Sequence, residues 1–262
     1  MKPYIYGKRN LIHIIDVRET LKGIIAAQRF LKMLVSNGRD VLFVGTKRQA
    51  RAVIDDVGKL TAMPVVTERW LGGTLTNYRT IRSRLKRLEE LEKTLQSPDV
   101  NKKFSKKMES SLKREYRKIL RNLSGIRTMD RLPGAVFVVD VRREVIAIQE
   151  ARKLGIPVVG LIDTDSDPDM VDIAIPANDD ALRAIDLILK EVSAAVVDGK
   201  TSRVAKEDME RTKQGRAERT GNTRGRGRRD DAADDKPAEP APAATAAQAS
   251  PDVPEAQPAV NG

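Results

Sequence analysis

The sequence predicts an α/β fold, a parallel sheet covered by helices on both faces, with a helical hairpin projecting from it. Three observations predict this. Short apolar runs alternate with amphipathic helical patterns from Leu11 to Val192, the order that builds a parallel sheet with crossover helices. Two helical patterns with narrow apolar seams lie back to back between Thr76 and Arg131. Apolar periodicity then stops near Asp198. The expected organisation is a domain over residues 1–198 with the hairpin inserted at 76–127, followed by a disordered tail over 199–262.

Lys2 to Asn10 is basic and aromatic, without periodicity. Leu11-Ile12-His13-Ile14-Ile15 reads as a buried strand, which places His13, the only histidine, in the core. Asp16 can cap the helix that follows through Leu21, Ile24, Ile25, Phe30, Leu31, Leu34 and Val35, and Asn37-Gly38 ends it. Val41 to Val44 is a second buried strand. Gly45-Thr46 turns the chain into a helix that starts at Lys47 and continues to the region of Leu60. Pro64-Val65-Val66 is a short strand candidate.

The segment Glu68 to Asn77 sets the only tryptophan, Trp70, beside Gly72-Gly73. Two readings stay open: a tight turn anchored by Trp70, or close backbone approach to a phosphate with Arg69 and Arg79 alongside. In the hairpin, one seam is Tyr78, Ile81, Leu85, Leu88 and Leu95. The other is Phe104, Met108, Leu112, Tyr116, Ile119, Leu123 and Ile126. Such stripes pack against each other, and a break containing Ser97-Pro98-Asp99 folds the second helix back antiparallel.

Ala135 to Asp140 is the clearest strand, followed by a helix from Arg143 to Leu154, a strand at Val158–Ile162 and a short strand at Ile173–Pro176. Asn178 or Asp179 caps a last helix carrying Ala181, Leu182, Ile185, Ile188, Leu189 and Val192. Residues 203–229 are Arg/Gly-rich and residues 230–262 are rich in Ala, Pro and acid, so neither buries enough apolar surface to offset chain entropy.

Charge narrows the function. The chain carries a net +11 over 262 residues, unevenly spread. Thr76–Arg131 holds 17 Lys or Arg against 7 Asp or Glu, whereas residues 132–202 hold 7 against 13. A basic first half and hairpin suit a polyanion, and the acidic half suits solvent or a basic protein. The absence of cysteine removes disulfides and thiolate metal sites and fits a cytoplasmic protein. No run is long and apolar enough to span a bilayer, so no membrane role is expected. Aromatics are 3% of residues, too few for a base-stacking platform; phosphate and shape contacts to folded RNA remain.

The strand–Gly45–helix junction, with Lys47, Arg48 and Arg51, can hold an anion. It lacks the second glycine of a Walker loop and is not a G-x-G-x-x-G turn. Asp163, Asp165, Asp167 and Asp169 alternate as in a calcium loop but lack its glycine and closing glutamate. They read as turn and capping residues, and neither a metal nor another cofactor is expected. No nucleophile–base pair suggests an enzyme. Two rivals stand beside RNA binding: a nucleotide- or phosphate-using α/β enzyme, and a scaffold that binds acidic proteins.

Six stretches, taken in order, resemble the bacterial small-subunit ribosomal protein S2 family. They are KPYIYGKRNLIHIID from Lys2, LFVGTKRQA from Leu42, RWLGGTLTNYRTI from Arg69, LPGAVFVVDVRRE from Leu132, IPVVGLIDTDSDPD from Ile156 and IPANDDALRAI from Ile175. The resemblance implies a flavodoxin-like doubly wound sheet with a protruding helical hairpin. It also implies a structural role in translation, with small-subunit rRNA and neighbouring ribosomal proteins as partners. The family pattern opens with a further segment before Lys2, which implies that Met1 is an internal methionine. Charge and position single out Lys8, Arg9, Lys47, Arg48, Arg51, Arg69, Asn77, Arg79, Arg82 and Arg84 as RNA contacts.

Overall fold

The computed structural model describes residues 1–97 and 104–222, with side chains described as far as Lys206. Residues 98–103, the core of the expected hairpin break, and residues 223–262, most of the expected tail, lie outside the described residues. The chain divides into two units, Met1–Gln214 and Gly215–Gly262.

Five parallel strands form the sheet: β3 (Val41–Val44), β4 (Val65–Val66), β5 (Ala135–Val139), β6 (Val158–Ile162) and β7 (Ile173–Pro176). Their spatial order is β4-β3-β5-β6-β7. Counted along the chain this is 2-1-3-4-5, the flavodoxin-like doubly wound order. Every residue of β3, β5 and β6 is buried, which is why these strands are uninterrupted apolar runs in the sequence.

Alternate residues serve opposite faces. Val41, Phe43, Phe137 and Val139 pack with α1 (Val17–Ser36), α2 (Arg48–Thr61) and α6 (Leu182–Asn222). Leu42, Val44, Val136 and Val138 pack with Trp70, with α5 (Val145–Lys153) and with the inner ends of α3 (Tyr78–Gln96) and α4 (Lys106–Leu123). Each fully buried Leu, Ile or Phe on these faces contributes roughly 1.5–3 kcal/mol.

The helices begin and end as their sequences dictate. Asp16 accepts a hydrogen bond from the Arg18 amide at 2.9 Å and caps α1, and Gly38 takes φ +75° just past its end. Asn178 Oδ1 accepts from the Asp180 and Ala181 amides at 2.8 and 3.0 Å ahead of α6. α3 and α4 pack against each other, with Arg87 Nε 3.4 Å from Glu115 and the Tyr116 hydroxyl 3.5 Å from Glu92. Leu91, missing from the expected seam, is 1% exposed and completes it between Leu88 and Leu95.

Two expectations are corrected. Leu11–Ile15 is not a buried strand of the main sheet. Its residues Ile12–Ile15 form β2, paired antiparallel with β1 (Ile5–Arg9) in a separate ribbon. Asn10 and Leu11 both take positive φ, 49° and 65°, and Arg9 pairs with Ile12 across them. That two-residue turn commits the run to its sequence neighbour. Leu11 and Ile12 are 84% and 70% exposed. His13 is exposed on this ribbon and is not a core residue.

At the other end, the sequence places the end of order at Asp198, whereas α6 runs to Asn222. Part of the reason is local docking. A Cβ on Gly199 would lie 2.9 Å from the Lys32 carbonyl, so only glycine lets the helix ride so close to α1. One residue on, Lys200 Nζ donates to the Thr61 carbonyl at the end of α2. The apolar pattern fades because this stretch is written largely in Lys, Arg, Glu and Ala, good helix formers that sustain a helix without an apolar stripe in the sequence.

Close approach makes a first prediction. A Cβ at Gly125 would lie 2.2 Å from the Val65 carbonyl oxygen of β4, a backbone group that cannot swing aside. Gly125→Ala is expected to cost about 2 kcal/mol, lowering Tm by about 4–8 °C in a domain of this size. Gly7→Ala, with nothing within 4 Å, is the neutral control in the same thermal melt.

Candidate nucleic-acid interface

The C-terminal ends of β3 and β5 flank the point where the strand order reverses, the place where doubly wound sheets bind ligands. Here the chain supplies its own charges. Gly45 follows β3, and a Cβ on it would lie 2.3 Å from the Ile54 side chain. This glycine lets α2 pack tightly on the sheet. The anion position at the start of α2 is filled from within: the buried Glu144 accepts from the Thr46 amide at 3.0 Å and from the Thr46 hydroxyl at 2.5 Å. Burial pushes the Glu144 carboxyl above the usual carboxylate range, against the opposing hydrogen bonds from Thr46 and the nearby Arg143. Arg143 Nε donates to the Thr46 hydroxyl at 2.9 Å, closing the network.

Lys47 is enclosed. Its ammonium lies 3.4 Å from Asp140, 2.7 Å from Asp179 and 2.6 Å from Asp180, carboxylates at or just past the ends of β5 and β7. Its side chain is 13% exposed. Burial works against its charge, but the hydrogen bonds to Asp179 and Asp180 outweigh it and raise the Lys47 pKa. Asp179 is pushed up by burial, with Lys47 opposing. Asp163, Asp179 and Asp180 also bring carboxylate oxygens within 4.8 Å of one another, a set able to take a cation; the Lys47 ammonium already bonds two of them. The other acidic-loop residues act locally: Asp167 caps a short turn through the Asp169 amide, and Asp165 pairs with Arg142 at 2.6 Å.

The segment from Trp70 to Asn77 is organised by a residue outside it. Glu150 on α5 accepts from Trp70 Nε1 at 3.1 Å and the Gly73 amide at 2.7 Å through one oxygen. Through the other it accepts from the Leu75 amide at 3.0 Å and from the Thr76 amide and hydroxyl at 3.1 and 3.2 Å. Burial alone would raise its pKa, but these donors win and hold it below the usual carboxylate range. The Gly73 amide of the Gly-Gly turn is thus aimed at Glu150.

The ten expected contacts are scattered over several elements. Lys8 and Arg9 are exposed on β1, and Arg48 is exposed at the start of α2. Lys47 is enclosed as described. Arg51 pairs with Glu68 at 3.2 Å and donates to the Thr46 carbonyl. Arg69 is exposed beside Trp70. Asn77 precedes α3 and accepts from the Thr80 hydroxyl at 2.8 Å. Arg79 and Arg84 are exposed on α3, while Arg82 pairs with Asp130 at 2.9 Å. Among the described residues, Lys8, Arg9, Arg48, Arg69, Arg79 and Arg84 therefore stand on the surface without an ion pair. Sequence reasoning missed Glu144 and Glu150, which organise both glycine turns. Each occupies a buried position on α5 or its N-terminal flank, in line with Ala147, Ile148 and Ala151. A carboxylate in an apolar row was the available signal.

Comparison with known proteins gives a consistent result. The profile of the family described as Ribosomal protein S2 matches residues 1–199. The chain is 55% identical over 200 residues to small ribosomal subunit protein uS2 of Rhodopirellula baltica, covering 76% of each chain. It is 48% identical over 194 residues to the uS2 of Thermus thermophilus, 74% of this chain and 75% of that one. The uS2 of Chlorobaculum tepidum is 43% identical over 222 residues, 85% and 89% of the two chains.

Proposed function

The chain belongs to the ribosomal protein S2 family, and from that premise we propose that its α/β domain is a rigid platform that holds folded small-subunit rRNA by phosphate contacts. As a family member it is a structural constituent of the small ribosomal subunit, with rRNA and neighbouring ribosomal proteins as partners, working in the bacterial cytoplasm. The family is not an enzyme class, and we read the chain as non-catalytic. The observation that carries the reading is the ordered match over residues 1–199 on a doubly wound sheet. The filled anion seat at Thr46 speaks against a nucleotide enzyme, because the position that would cradle a phosphate holds Glu144.

The working unit is the α/β domain, with α3 and α4 inserted between β4 and β5. Its contacts are the exposed cations Lys8, Arg9, Arg48, Arg69, Arg79 and Arg84. Lys47, Arg51, Arg82 and Asn77 act indirectly, by fixing the backbone that presents them. The test is sedimentation of a native lysate through a sucrose gradient in moderate salt. Stoichiometric recovery of this chain in the small-subunit peak is expected; recovery at the top of the gradient would sink the assignment. Within the subunit, neutralising Lys8, Arg9 and Arg48 together is expected to reduce the salt slope of rRNA binding by up to about three units, one per phosphate contact.

A further inference from the structure

The later turns of α6 lie across the C-terminal ends of two other helices. Lys32 on α1 pairs with Asp198 at 3.1 Å. A Cβ on Gly199 would stand 3.0 Å from the Val35 side chain, so α6 and α1 are in close contact there. Lys200 reaches past this contact to α2. Its Nζ donates to the Thr61 carbonyl and lies 3.5 Å from the Ala62 carbonyl. α2 ends at Thr61, and Ala62 takes φ 48°. The last carbonyls of a helix have no partner within it and carry the negative end of its dipole. Lys200 brings them both a donor and a positive charge. Arg203 does similar work at α1. Its guanidinium carbon lies 3.4 Å from where a Cβ on Gly38 would sit, just past the end of that helix. Two cations of α6 thus clasp the ends of α1 and α2.

The Lys200 amine is also set apart chemically. The residue is half-buried, enough to strip water from the ammonium without sealing it in. Burial pushes its pKa below the ordinary lysine range; Asp40 opposes this, and Arg203 adds to it. The other charges at this corner are engaged. Lys32 is held by Asp198, Lys59 in the last turn of α2 by Asp56 at 2.9 Å, and Arg131 by the Gly38 carbonyl and Asp40. Lysine is a nucleophile only as the neutral amine, and partial desolvation raises that fraction near neutral pH. Arg203 and Arg131 meet at Gly38, and paired guanidiniums favour a phosphate group beside them.

We propose that Lys200 is a modification site: its Nζ takes an acyl group from a small acyl phosphate, and the modified side chain releases the clasp on α2. The amine lone pair attacks the acyl carbon and forms a C–N bond. The bond from that carbon to the bridging phosphate oxygen breaks, inorganic phosphate leaves with the electron pair, and the surplus amine proton passes to water. The product amide is uncharged and keeps one N–H where the ammonium had three. It no longer complements the dipole of α2. The turn of α6 at Lys200 then loses its charged tie to the Thr61 carbonyl, while the Gly199 contact with α1 remains.

The test treats the full chain with acetyl phosphate near neutral pH and follows acetylation of each lysine by peptide mass spectrometry at low conversion. Lys200 is expected to react about three- to tenfold faster than the exposed Lys8 and Lys206. Its rate is expected to reach half its maximum at a lower pH than theirs. Equal or slower reaction at Lys200 overturns the proposal. Native-state hydrogen exchange reads the clasp itself. Lys200→Gln carries the neutral amide of the modified side chain and is expected to speed exchange of the α6 amides at 200–206 by about tenfold. β3 and β5 are expected to exchange at the parent rate. Lys200→Arg keeps the charge and the donors and is expected to leave α6 at the parent rate as well. Unchanged exchange in Lys200→Gln, or equal acceleration in both variants, overturns the release of the clasp.

Discussion

Glu150→Ala is expected to destabilise the domain by about 3–5 kcal/mol, the cost of stripping a buried, fully bonded charge from its partners. Three backbone amides, the Trp70 indole and the Thr76 hydroxyl all donate to this one carboxylate. Alanine leaves the amides and the indole inside without an acceptor. A domain whose total stability is about 5–15 kcal/mol loses a large share of it, read as a lowered denaturant midpoint. Glu150→Gln is the sharper probe. It keeps shape, but its amide group sets two N–H donors against donors already there. The pH dependence has a definite sign. The folded pKa is depressed, so the stabilisation is present above the unfolded value near about 4.3 and disappears as pH falls through the folded value. The stability gap between the parent and Glu150→Gln should therefore be full at neutral pH and narrow below about pH 4. A gap independent of pH across that window would show that the carboxylate charge does not hold the turn.

The sequence makes some of this legible and hides the rest for identifiable reasons. The strands β3, β5 and β6 stand out because a strand buried on both faces must be apolar throughout. The caps at Asp16 and Gly38 are readable because each acts within its own turn. The ribbon of β1 and β2 was hidden because its pairing depends on Asn10 and Leu11 taking positive φ, a choice rarely made by leucine and not signalled by composition. The site was less legible still. Lys47 reads as an exposed cation at a helix start until β5 and β7 bring Asp140, Asp179 and Asp180 to it. Those carboxylates lie far along the sequence, and only the strand order makes them neighbours. Charge identified the right class of partner, while topology decides which cations remain free to meet it.

That same enclosure sets the second large effect. Lys47→Met keeps most of the length of the side chain and removes its charge, leaving Asp140, Asp179 and Asp180 with Asp163 close by. Breaking a buried pair from one side costs about 3–5 kcal/mol. Asp180 is 70% exposed and solvates its own charge, so about 2–4 kcal/mol is expected here. The sign with pH is opposite to that of Glu150. Lys47 has a raised pKa, so its contribution is full below its unfolded value near about 10.4 and is lost only as pH rises through the folded one. Asp179 is also raised above the usual carboxylate range, chiefly by burial, with Lys47 opposing. Removing Lys47 takes away the charge that opposes this and raises Asp179 further. The variant should then regain stability as pH falls from about 7 towards about 4, as Asp179 takes up a proton. The double variant Lys47→Met, Asp179→Asn should be more stable at neutral pH than Lys47→Met alone, a coupling that a double-mutant cycle measures directly. Equal losses in the single and double variants, with no recovery in acid, would mean that Lys47 is held by packing of its stem and not by the carboxylates around its ammonium.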